Sequence, residues 1–110
     1  MDGNILLNST FITFLLINYM QKIQHKPGQF FIDINGKKSL LDYTIKGTEM
    51  DIFHTFTDPD LRGQGLAEQL AIAAFEYAKR NGFLVIPTCD YIHDSFLRKH
   101  PEWNEITEHW

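Results

Sequence analysis

The hydrophobic period of this chain changes once, at Asp58-Pro59-Asp60, and that change constrains the fold more than any other feature. Before it the period is two. Pro27-Gly28-Gln29 signals a turn. Residues 30–34 then read as a strand, and Asn35-Gly36 follows as a hairpin cue, because both positions tolerate positive φ. Residues 39–46 form the returning strand, and Gly47-Thr48 is a second turn. Residues 49–57 alternate, with Met50, Ile52, His54 and Phe56 sharing an inward face and Asp51, Phe53, Thr55 and Thr57 the other. On this pattern Asp51 and Glu49 are solvated strand residues.

After the change the period is helical. Leu66, Leu70, Ala73 and Tyr77 recur at steps of four, three and four, with Ala67, Ala71, Ala74 and Ala78 beside them. This predicts an amphipathic helix over 66–80, with an alanine stripe for close packing and Gly82 just past its end. Residues 83–86 are a short apolar run, as in a strand buried on both faces. A shorter helix is expected over 91–99, stopped near Pro101. The order β-β-β-α-β-α predicts an α/β fold with a mixed, mostly antiparallel sheet.

A chain of 110 residues has room for one small domain. Ten basic residues against fourteen acidic give a net charge of −4, and the basic residues are scattered apart from the pairs Lys37-Lys38, Lys79-Arg80 and Arg98-Lys99. Nucleic acid is therefore not an expected partner, since such proteins carry a basic stripe. The lone Cys89 excludes an internal disulfide and a multi-cysteine zinc site, and fits a reducing compartment such as the cytoplasm. The five histidines show no ligand pair at a recurrent metal spacing, so no metal is expected. Residues 3–21 carry no charge, but asparagines, serine and threonines interrupt the run that a membrane span would need. The basic start and small-residue end of a signal peptide are missing too. Residues 1–20 are accordingly set apart as an N-terminal extension, with Met20 as an alternative start, and 21–110 are taken as the domain; no membrane partner is expected.

The chemistry concentrates where the period changes. Leu61-Arg62-Gly63-Gln64-Gly65-Leu66-Ala67 lies between a strand and a helix. Its glycines let the backbone approach a ligand closely, and the unpaired amides at the helix start suit a phosphate. A P-loop would end in Gly-Lys-Ser/Thr, which is missing. A dinucleotide fingerprint would need a third glycine where Glu68 stands, and that carboxylate would oppose a pyrophosphate. On the residues alone, a glycine-rich helix start without a ligand stays open.

The segment Arg62-Gly63-Gln64-Gly65-Leu66-Ala67 resembles R/Q-x-x-G-x-G/A, the acyl-CoA pyrophosphate motif of the GNAT superfamily of N-acetyltransferases. Together with His54-Thr55, Pro87-x-Cys89-x-Tyr91 and His100-Pro101-Glu102-Trp103, it resembles the small stand-alone YjdJ-type subfamily over about residues 24–104. The resemblance implies a GNAT-like sheet that splays beside the 49–57 strand, opening a slot for the pantetheine arm of acetyl-CoA. It implies acetyl transfer from acetyl-CoA to an amine, either a small molecule or a protein lysine. Arg62, Gly63, Gln64, Gly65, Leu66 and Ala67 would hold the pyrophosphate, and Phe56 and Thr57 would pair with the arm through their main chains. Catalytic candidates are Cys89, as an acetyl relay or a pocket wall, Tyr91, as proton donor to the leaving thiolate, and His54, as water-mediated base. The long helical region that forms the acceptor wall in larger relatives is missing, which leaves a non-catalytic acyl-CoA-binding module as the alternative.

Overall fold

A computed structural model describes residues 23–108; the extension 1–20 lies outside the described residues. Five strands form one sheet in chain order: β1 (Gln24–Lys26), β2 (Gln29–Ile34), β3 (Lys37–Lys46), β4 (Glu49–Thr57) and β5 (Leu84–Ile86). The first three pairings are antiparallel and the last, β4 with β5, is parallel. The mixed, mostly antiparallel sheet is thus the predicted one, extended by β1. Asn35 (φ 54°) and Gly36 (φ 85°) make the expected tight turn between β2 and β3. Asp33 tightens it by accepting from the Gly36 amide at 2.9 Å.

The crossover between β4 and β5 is the helix α1, Leu66–Asn81. Gly82 ends it at φ 72°, with the Gly82 and Phe83 amides donating back to Lys79 and Ala78 in the Schellman pattern. Its buried side chains are Leu66, Leu70, Ala71, Ala74, Phe75 and Ala78. The alanines bring the helix close onto Phe30, Ile32, Leu41, Tyr43, Met50 and Ile52 of the sheet, all buried. The buried face is rotated from the predicted one. Ala73 and Tyr77 are only half-buried, and Phe75 is sealed, because Phe96 stacks on it at 5.2 Å and Trp103 packs against it, tilted, at 5.6 Å.

The predicted second helix is π-helical over Tyr91–Phe96 and continues into α2, Leu97–Lys99. A 3-10 segment, Pro101–Ile106, follows. The chain then returns to the sheet, where the Glu108 amide donates to the Val85 carbonyl at 2.9 Å. This covers the outer edge of β5. β5 itself is narrower than expected, with Val85 fully buried and Leu84 and Ile86 half-buried.

Candidate active site

The site begins where β4 and β5 part. Their register runs from Glu49↔Leu84 to Asp51↔Ile86 and stops. Pro87, next in line, has no N–H to continue the ladder. The chain turns instead, and the Cys89 amide donates to the Ile52 carbonyl at 2.9 Å. β4 runs on to Thr57 with no strand against that edge among the described residues. The backbone of 53–57 therefore borders a slot beyond Ile52, on a side with no pairing strand among the described residues.

A β-bulge sits at the root of this slot. Asp42 pairs with His54 and Tyr43 with Ile52, so Phe53 has no partner on β3. One extra residue reverses the alternation of everything after it. Thr55 and Thr57 turn to the core side, where the Thr55 hydroxyl meets the Cys89 thiol at 3.4 Å and the Thr57 hydroxyl meets that of buried Ser39 at 2.8 Å. His54 and Phe56, expected inward beside Met50 and Ile52, are exposed on the far face of the sheet. This corrects the alternation drawn through the whole strand, and separates the His54 side chain from the Cys89 side of β4. Asp51 also departs from expectation. It is half-buried, and its Oδ1 is sealed from solvent with no hydrogen-bond partner among the described residues.

Beyond the slot lies the turn. Arg62 Nε donates to the Thr57 carbonyl at 3.2 Å, which ties the turn to the end of β4. Gly63 and Gly65 both hold left-handed backbone, at φ 84° and 73°. A Cβ built on either would meet nothing within 4 Å. The glycines are therefore required by conformation and not by crowding, and they leave open space in front of the helix start. Gly65 caps α1 without any side-chain hydrogen bond, so among the described residues no side chain caps the first amides of the helix. Thr57, Leu61, Arg62, Gly63, Gly65, Leu66, Ala67, Glu68, Tyr91 and Lys99 enclose a cleft of about 270 Å³. Of the predicted cofactor residues, Thr57, Arg62, Gly63, Gly65, Leu66 and Ala67 line this cleft together, with Tyr91 among them. Gln64 and Phe56 do not, although both lie on the backbone that frames it.

The electrostatics favour an anion with one exception. Arg62 and Lys99 bring positive charge to the cleft and the helix start adds its own. Glu68 opposes them, but its Oε2 is held at 2.6 Å by His100 Nε2. That pairing raises the His100 pKa above its usual value. Tyr91 is half-buried, and burial pushes its phenol above the usual value, helped by the Glu68 charge. Lys99 and the Glu68–His100 pair were not found by sequence reasoning. The presence of His100 in the matched C-terminal segment was the only signal for them.

A second cavity, about 550 Å³, lies away from the slot, between β1, β3 and the last turns of α1, lined by His25, Tyr43 and Tyr77 among others. There the His25 ring stacks flat on Phe30 at 3.9 Å and shares a 2.6 Å hydrogen bond with the Tyr43 hydroxyl. Its lining also includes Lys26, whose Nζ lies 5.4 Å from the centre of the Phe31 ring.

Comparison with known proteins places these features in a family. Residues 29–106 match the model of the GCN5-related N-acetyltransferases. The chain belongs to that family. Its fold also matches the solution NMR structure of a GCN5-like protein from Staphylococcus aureus, with a TM-score of 0.64 at 24% identity, over 80% of this chain and 88% of that one. Membership in the GCN5-related N-acetyltransferases makes acetyl transfer the family activity. Among the described residues, no helix is long and apolar enough to cross a membrane.

Proposed function

We propose that this chain, over residues 21–110, is a YjdJ-type acetyl-CoA-dependent N-acetyltransferase that works in the slot between β4 and β5. The observation that carries the proposal is a coincidence of two openings. The strands part at Ile52, and the unpaired edge they expose leads directly to the left-handed turn and free amides at the start of α1. A ligand with an amide-bearing arm and a pyrophosphate fits both at once. Main-chain groups of 53–57, Phe56 and Thr57 included, pair with the arm as a neighbouring strand would. Gly63, Gln64, Gly65, Leu66 and Ala67 present backbone to the pyrophosphate, with Arg62 and Lys99 supplying charge.

The thioester then lies beside Cys89 and Tyr91, and supplies an acetyl group already activated toward amines. Transfer is direct. The amine nitrogen bonds to the acetyl carbon, the carbon–sulfur bond breaks, and Tyr91 gives its proton to the departing thiolate. A phenol held above its usual pKa stays protonated at neutral pH, as a donor must. Cys89, packed under the Thr55 hydroxyl, walls the slot. The acceptor enters from the far face of the sheet, where exposed His54 takes its proton through water. The acceptor is a small amine or a protein lysine, and the chain acts in the cytoplasm. Isothermal titration with acetyl-CoA, followed by an acetylation assay over a broad amine panel, tests the proposal. Tight binding with no transfer to any amine would favour a non-catalytic acyl-CoA-binding module instead.

A further inference from the structure

Glu68 stands where this reading least wants a carboxylate. It lies in the first turn of α1 and lines the same cleft as Arg62, Gly63, Gly65 and Lys99. An anionic side chain there competes with a bound phosphate for the positive end of the helix. The structure does not leave it free. His100, which is 32 residues away in sequence and enters from the end of α2, bonds Glu68 Oε2 through Nε2 at 2.6 Å. The imidazole is stacked on Phe96 at 4.6 Å between centroids, and its Nδ1 lies 3.5 Å from Glu102 Oε2. The ring is thus clamped by two carboxylates and an aromatic face, with its side chain 23% exposed.

We propose that His100 is a positioning residue for the cofactor phosphates: by holding and neutralising Glu68, it keeps the cleft attractive to the anion, and cofactor affinity therefore depends on its charge. The inference rests on the acetyl-CoA reading of the cleft. Glu68 and Glu102 face the imidazole directly, and Tyr91, Lys99 and Arg62 are the other titratable or charged groups around the cleft. Both carboxylates favour the imidazolium, so His100 stays charged above the pH at which a free histidine loses its proton. As the pH rises through that raised value, Glu68 is left as an uncompensated anion beside the bound phosphates. Binding of the anionic ligand should weaken in the same interval.

Acetyl-CoA affinity measured by isothermal titration from pH 6.5 to 9 tests this on the parent and on His100→Gln, Glu68→Gln and the double variant. The phosphomonoester of the ligand titrates near pH 6, below the window. The parent should lose about tenfold in affinity across it, as expected for one like charge near the ligand in a partly solvated cleft. His100→Gln should be about tenfold weaker at pH 6.5, and Glu68→Gln tight at every pH. The double variant should return to the Glu68→Gln level, a rescue that a merely structural role for His100 would not give. A pH-independent parent, or a double variant as weak as His100→Gln, would overturn the inference while leaving the acetyl-CoA reading intact. A parent that binds no acetyl-CoA at any pH would remove both. The pH profile of the parent needs no variant, so a misfolded substitution does not decide the matter.

Discussion

Replacing Gly65 separates the two tasks assigned to the turn. Its φ of 73° is left-handed, and the space in front of its Cα is empty. A side chain there costs backbone strain without a steric clash, about 1–2 kcal/mol for an ordinary L-residue. Asparagine tolerates this conformation better, so Gly65→Asn should be the milder change. Gly65→Glu adds to the strain a carboxylate aimed into the open cleft, where it would meet the pyrophosphate and block its amides. Losing two charge-assisted hydrogen bonds at about 1.5–3 kcal/mol each weakens binding by about 10²- to 10⁴-fold. The stability loss should be far smaller, a fall in Tm of about 4–8 °C per kcal/mol for a domain of this size. Urea unfolding measures the first effect and isothermal titration with acetyl-CoA the second. A folded Gly65→Glu variant that binds acetyl-CoA like the parent would refute the assignment of the turn.

The remaining expectations concern the chemistry and the chain ends. Tyr91→Phe should lower kcat by about 10²-fold or more with little change in the KM for acetyl-CoA, and on the alkaline side the parent's kcat at saturating acetyl-CoA should fall only as the pH passes the raised Tyr91 pKa. Steady-state rates across pH would show this, and unchanged kcat in the variant would exclude Tyr91 as donor. Cys89→Ala should keep most activity, and intact-protein mass spectrometry of the parent with acetyl-CoA and no acceptor should show no acetyl adduct; a hydroxylamine-labile adduct would establish the relay instead. The His100 pairing stabilises the fold fully below the ordinary histidine pKa and is lost as the pH rises through the raised one, so the Tm difference between the parent and His100→Gln should shrink over that interval. Deleting residues 1–19 should leave acetyl-CoA binding unchanged, measured on a truncation shown to be folded.

What the sequence discloses here is what local chemistry decides. Asn35-Gly36 specifies its turn because both residues accept positive φ, and the glycines at 63, 65 and 82 mark the left-handed positions at the ends of the loop and helix. The bounds of β4 are legible from alternation, but the extra residue at Phe53 is not, since nothing in Glu49-Met50-Asp51-Ile52-Phe53-His54 distinguishes a bulge from a regular strand. That single insertion moves His54 and Phe56 to the far face. β1 escapes notice because Gln24, His25 and Lys26 are polar and exposed, and pair only because the Pro27-Gly28 turn folds them onto β2. Glu68 and His100 meet across 32 residues by the packing of α2 and the 3-10 segment on α1, which no sequence period encodes. Phe75 is buried for the same reason, by aromatic neighbours that arrive from the C-terminal end.

The most direct test of the whole account is an amide chemical-shift titration with acetyl-CoA. The slot reading predicts saturable shifts concentrated on Gly63, Gly65, Leu66 and Ala67, on the free edge of β4 from 53 to 57, and on Cys89 and Tyr91. Shifts gathered instead around His25, Tyr43 and Tyr77, or no saturable change at millimolar ligand, would contradict it.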